Sequence, residues 1–262
     1  MTSRHRRRYP RRRADRRRTR RRVALVAVLL VVVTIIATAL RSGSSENSPA
    51  AIASVVPTSQ LAPNAPPAPV GMATAPGNLV LDVPINHRRI TAIVYHGVGT
   101  ANVVPLVPLG SQRNAGVLNT IAKMLTGAPD GGGGPSYYVD DAGQGPSTGS
   151  VDVGAVAGTD VYSPVDGKVV SIRPYVIDGR AYGSVIEIQP SSTPADVITL
   201  TNLAPAPGVV VGTPVSAATT KLGAVVDLSK VLTQEISRYS SDAGNHVHIE
   251  VGPAPATNGV FL

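Results

Sequence analysis

Hydrophobic positions along the 262-residue chain fall into three regimes. Val23 to Leu40 is a continuous apolar run with no charged residue, long enough to cross a bilayer as a helix. Residues 41–77 lose that pattern: segments such as VPTSQLAPNAPPAPV and ATAPG are rich in Pro, Ala and Ser. Such a stretch cannot bury a core and reads as a semi-extended tether. From about Asn78 short period-two stretches begin, and order is expected from there on. LVLDVPI and RRITAIVYHGV read as strands, and VVPLVPLG as a Pro-interrupted edge strand or loop. Asn114 to Thr126 spaces Val117, Ile121, Met124 and Leu125 along one face ahead of Gly127, which predicts a helix. GAPDGGGG then reads as a flexible joint.

Beyond Tyr137 the pattern is that of short strands separated by Gly and Pro turns. GTDVYSPVDGKVVSIRP reads as strand, Pro-Val-Asp-Gly turn and strand, with Asp166 in a backbone role because Asp-Gly suits a tight turn. YGSVIEIQP and ADVITLTNL follow as two more strands, and VVVGTPVSAATTKLGAVVD as short strands broken by turns. Residues 228–240 change period. Leu228, Val231, Leu232, Ile236 and Tyr239 form one stripe behind Asp227 as N-cap, which predicts an amphipathic helix. The whole predicts a mostly β fold, an antiparallel sandwich or barrel-like sheet. Five parts are expected: an Arg-rich tail (1–22), a transmembrane helix (23–40), a linker (41–77), a small α+β lead-in (78–140) and the main β domain (141–262).

Composition changes this picture in two respects. The chain has no Cys, which excludes disulfides and thiolate metal sites and leaves His and carboxylates as the available ligands. Thirteen Arg and one Asp crowd into residues 1–22, a local charge of +12, so the total of +8 leaves −4 on residues 23–262. The basic pI therefore belongs to the tail, and no basic face for nucleic acid is expected elsewhere. Beside the apolar run, the Arg tail predicts a cytoplasmic N-terminus and a single-pass anchor, with the rest of the chain outside the cell membrane. Ala37-Thr38-Ala39 would suit signal-peptide cleavage, but the apolar run is longer than a usual signal core.

Candidate chemistry gathers in Asn245-His246-Val247-His248-Ile249-Glu250-Val251. Alternation sends His246, His248 and Glu250 to one face of a strand and Val247, Ile249 and Val251 to the other. Two imidazoles about 7 Å apart on one face can share a metal, or one can hold it while the other works beside it.

The order of these segments resembles the lysostaphin/LytM-type zinc metalloendopeptidases, which cut peptide cross-links in bacterial cell walls. The resemblance covers about Thr148 to Gly252. It runs through Val151-Asp152-Val153, Ala157-Gly158-Thr159-Asp160 to Asp166-Gly167, Tyr182-Gly183-Ser184-Val185-Ile186-Glu187-Ile188, Val211-Gly212-Thr213-Pro214-Val215 to Leu222-Gly223, and Asn245 to Val251. It implies a LytM-like antiparallel core of duplicated hybrid or barrel-sandwich type. It also implies a zinc site made of a His four residues before an Asp, that Asp, and the second His of the final pair, with the first His of the pair as general base. Asp152, His248 and His246 stand at three of these positions, whereas Thr148 stands where the first His would be. A further His of the family, just after the ADVITLTNL strand, is replaced by Asn202.

A catalytic zinc takes three protein ligands, and two would hold it weakly. An amide cannot carry a proton as imidazole does. The expectation is therefore a degenerate, non-catalytic domain without a bound cofactor, which binds peptidoglycan or controls a cell-wall hydrolase. The alternative is an active zinc metalloendopeptidase in which Asp140, Asp141, Glu250 or His96 supplies the missing ligand. His96 follows Ile93-Val94-Tyr95 and reads as a strand-end residue. Ser163 to Val169 also resembles biotinyl/lipoyl carrier hairpins, but Lys168 starts a strand instead of capping an exposed turn.

Overall fold

The computed structural model describes residues 65–99, 102–116, 133–141 and 143–255. The Arg tail, the apolar run 23–40, most of the linker and residues 117–126 of the expected helix lie outside them, and residues 114–116 form no helix. Among the described residues no helix is long and apolar enough to cross a membrane.

Strands follow in chain order as β1 (Gly71–Ala75), β2 (Leu79–Asp82), β3 (Ile90–His96), β4 (Val107–Pro108), β5 (Ser111–Gln112), β6 (Ser136–Asp140) and β7 (Ser150–Ala155). They continue as β8 (Asp160–Tyr162), β9 (Gly167–Ile177), β10 (Arg180–Pro190), β11 (Asp196–Pro205), β12 (Pro214–Val215), β13 (Lys221–Val225) and β14 (His246–Pro253). The fold is mostly β, as expected. A small sheet has the order β2-β1-β4 and a large one the order β12-β9-β10-β11-β14-β7-β3-β6-β5, with β13 joining β11 to β8. Pairing is antiparallel except that β6 runs parallel to both β3 and β5. The lead-in and the main domain thus share one sheet, joined where β3 pairs with β7.

Alternation along the central strands separates two faces. Ile93, Tyr95, Val151, Val153, Val247, Ile249 and Val251 point into one hydrophobic core with Leu200 and Ile198, and all are essentially inaccessible to solvent. Each such side chain contributes about 1.5–3 kcal/mol of burial. Core order begins earlier than expected: β1 lies within the stretch that reads as linker, with Met72 and Ala73 buried and the Tyr95 hydroxyl donating to the Met72 carbonyl at 2.7 Å. Pro and Ala dominate residues 41–77 and hide the five-residue strand Gly-Met-Ala-Thr-Ala.

Two further elements depart from the sequence-based expectation. The stretch 228–240 is not an α-helix; its only helical piece is a 3-10 turn at Glu235–Arg238. Asp227 caps no helix: its Oδ1 accepts from the Ser229 N–H in a local turn, and the extended Gln234 stands before the 3-10 piece without a side-chain cap bond. Val231, Thr233 and Ser237 are weak helix formers, and burial of Leu228 and Ile236 as separate anchors replaces a continuous stripe. The Pro-Val-Asp-Gly turn also closes no hairpin. β8 pairs with β13 while β9 pairs with β10 and β12, and Asp166 Oδ1 accepts from the Ala217 N–H at 2.8 Å to hold the corner.

Candidate metal centre

Strands β11, β14, β7 and β3 lie side by side in that order. Their register sets Thr201 against His248, His248 against Asp152, and Asp152 against Val94. His96 is two residues beyond Val94 and so shares its face. This single polar face therefore gathers His246, His248 and Glu250 from β14, Asp152 from β7 and His96 from β3, with Asn202 beside them on β11. They open into a cavity of about 480 Å³, whose walls include Tyr175 and the Leu228–Ile236 segment.

Asp152 is the hub. It is buried, and its Oδ1 accepts from His248 Nδ1 at 2.7 Å while its Oδ2 lies 3.2 Å from His96 Nε2 and 3.5 Å from His246 Nε2. Each neighbouring imidazole has its remote nitrogen held by an oxygen. His248 Nε2 donates to Glu250 Oε1 at 2.8 Å, His96 Nδ1 to the Gly97 carbonyl at 3.0 Å, and His246 Nδ1 to the Gly244 carbonyl at 2.8 Å. Burial opposes charge on Asp152, but His246 and the hydrogen bonds from His248 and His96 prevail and hold its carboxyl below the ordinary range. Burial likewise opposes protonation of His248, yet Asp152 and Glu250 push its pKa up to about 10. His96 is raised too, its burial outweighed by Asp152. The hydrogen bond from His248 lowers Glu250.

His96, Asp152 and His248 form a group able to hold a metal ion, their ligand atoms all within 4.8 Å of one another. A tetrahedral ion with arms of about 2.0–2.1 Å needs ligand atoms about 3.3 Å apart. The imidazole nitrogens stand 2.7 Å from Asp152 Oδ1 and 3.2 Å from Asp152 Oδ2, each on a different carboxylate oxygen. The donor set fits as well. Nitrogens of two imidazoles and one carboxylate converge, and the other nitrogen of each ring is oriented by Gly97 or Glu250, the arrangement that fixes tautomer in metal-binding His.

Sequence-predicted residues meet this geometry unevenly. Asp152, His246, His248 and Asn202 all line the cavity, as do Glu250 and Asp140. Thr148 does not; its carbonyl accepts from the Leu106 N–H at 2.8 Å. Asp140 is tied to Arg238 at 3.7 Å. His96 is the strand-end residue that the sequence indicates, and it also joins Asp152 and His248 in the group able to hold a metal ion. Alternation within β3 shows which face His96 occupies, but nothing local shows that β3 lies beside β7, 56 positions along the chain. Glu250 was legible as the residue two beyond His248 on the same face.

No protein-family model matches this chain, and a search of curated proteins gave no match either.

Proposed function

We propose that the chain is a metal-dependent hydrolase of lysostaphin/LytM type, carried outside a bacterial membrane on the 23–40 segment and acting on amide bonds of cell-wall peptide. The observation that supports it is His96. Sequence comparison within the motif leaves two ligands, Asp152 and His248, and the expectation of a degenerate domain followed from that shortage. With His96 beside them the count reaches the three that a catalytic zinc takes, which favours the active alternative. A zinc ion bound there would supply Lewis acidity and a lowered pKa for water.

The chain's own residues have separable parts in such a reaction. His96, Asp152 and His248 are the ligands, and Glu250 orients His248 through Nε2. His246 Nδ1 donates to the Gly244 carbonyl, which leaves Nε2 facing Asp152 Oδ2 at 3.5 Å. His246 then accepts the proton of the attacking water and returns it to the leaving amine, the two halves of general acid–base work. Asn202 Nδ2, 3.2 Å from His246 Nε2, holds the ring in place between these steps.

A second reading, a non-catalytic domain that binds peptidoglycan or controls a wall hydrolase, is favoured by Asn202 itself, an amide where the family has a proton-carrying imidazole. The test uses the full-length chain in detergent, loaded with zinc and incubated with cell-wall peptide. Release of new amino groups, lost in His246→Ala while zinc is retained, supports the hydrolase. Retained zinc without any cleavage contradicts it and leaves the binding reading.

A further inference from the structure

The polar face continues past the metal-holding group. Along β14 its row runs His246, His248, Glu250 and Gly252, because alternate residues of a strand share a face. On β11 the register sets Thr201 beside His248, Thr199 beside Glu250 and Val197 beside Gly252. Glu250 is the last residue of this row to line the main cavity. A second cavity of about 260 Å³ begins at the same Glu250, with Thr199, Gly252, Pro253, Asn102 and Val103 among its walls. Its outer side is the loop at 102–104, held in place by the Val104 N–H, which donates to the Val251 carbonyl at 2.8 Å. The floor is open because Gly252 brings no side chain. A Cβ added there would stand 3.5 Å from its nearest neighbour, the Asn102 carbonyl oxygen. Thr199, Glu250 and Gly252 are half-buried and Asn102 is exposed, so all four are within reach of solvent.

Spacing and chemistry together indicate what would span the two cavities. Successive residues of the row are about 6.6 Å apart, so His248 to Gly252 is about 13 Å, the length of four residues of extended peptide. A peptide lying along β14 with one amide at the metal-holding group would carry its second residue over Glu250 and its fourth over Gly252. Asn102 offers an amide and Thr199 a hydroxyl, groups that both give and accept hydrogen bonds and so match peptide groups of either polarity. Val103 and Pro253 give the cavity an apolar edge. We infer that the second cavity is a subsite for the flanking residues of an extended peptide, with Gly252 as the residue that keeps it open. This assignment rests on the hydrolase reading for the choice of a peptide, but not on the metal.

The experiment measures binding of end-blocked glycine peptides of increasing length, from the dipeptide to the hexapeptide, to the full-length chain in detergent, treated with chelator to prevent cleavage. Peptides long enough to reach both cavities should bind about tenfold or more tightly than the dipeptide. Gly252→Val fills the floor with a side chain that suits a strand and should remove this gain, with dipeptide affinity unchanged. Thr199→Leu obstructs the same cavity from β11 and should act alike, which keeps the test open if one variant fails to fold. Thermal melting of both reports folding. Affinity that does not rise with length, binding of no peptide, or a gain that survives in either folded variant overturns the assignment. Cleavage of cell-wall peptide by the zinc-loaded chain separates the two claims. Cleavage without a length gain sinks the subsite alone, and a length gain lost in Gly252→Val without cleavage sinks the hydrolase reading alone.

Discussion

The two faces of strands β11, β14, β7 and β3 are made from alternate residues of the same short segments, and they behave as opposites. On one face Val247, Ile249, Val151, Val153, Ile93 and Tyr95 are sealed in the core. On the other, His246, His248, Glu250, Asp152 and His96 crowd around one carboxylate and border open space. The apolar face satisfies itself. Its contacts are redundant and non-directional, and it holds the four strands in a fixed register. The polar face depends on directional contacts, with one carboxylate shared among three imidazoles and, among the described residues, no donor to Asn202 Oδ1. The pleat lets the first face supply rigidity while the second brings imidazoles and carboxylates from three strands together beside the cavity.

Changes on the two faces should therefore separate stability from binding. The largest effect belongs to the core: Ile249→Ala should destabilise the fold by about 2–5 kcal/mol, read by chemical denaturation. Its neighbour Glu250, one residue on but on the other face, should behave in reverse. Glu250→Gln replaces the acceptor that orients His248 Nε2 and should weaken zinc binding by about 10–100-fold, with little change in unfolding midpoint. If Glu250→Gln proves as destabilising as Ile249→Ala, the division between the faces fails.

A smaller, pH-dependent effect sharpens the same contrast. His248 is raised from 6.5 to about 10 in the metal-free fold. Its contribution to stability is therefore fully present below about pH 6.5 and is lost as pH rises through about 10. Asp152, lowered from its ordinary 3.8, contributes above that pH and loses its contribution on the acid side. Melting of chelator-treated protein should show Tm falling between pH 7 and 10, and His248→Asn should flatten that slope. Zinc affinity should run the other way and rise with pH, because the proton on His248 Nδ1 must leave before that nitrogen can ligate. A Tm independent of pH over this range would mean that the His248–Asp152 pair adds nothing to the fold.

Much of the fold was legible because period-two alternation is a local property. Ile186-Glu187-Ile188, Val197 to Leu200 and His246 to Val251 all read directly as the strands they form. The polar face was legible in part for the same reason: His246, His248 and Glu250 are neighbours in sequence, and Asp152 sits between two valines. His96 was discounted because its place beside Asp152 depends on β3 pairing with β7, a long-range contact that no spacing encodes. The stripe at Leu228 to Tyr239 misled for a related reason. Its apolar spacing reflects two anchors, Leu228 and Ile236, that dock separately, and a 3.6-residue period fits two points as easily as a helix. The segment Gly71–Ala75 was lost in Pro-rich surroundings, where composition outweighed five residues of pattern.

The central claim is that β3 supplies the third ligand in place of Thr148. Zinc titration of the full-length protein, with metal content measured after dialysis, tests it when His96→Ala and Thr148→Ala are compared with the unaltered chain. The account predicts one zinc bound to the unaltered protein and to Thr148→Ala, with His96→Ala weakened by about 100-fold or more, beyond the loss expected from an outer partner. Retention of zinc by His96→Ala with unchanged affinity would contradict it.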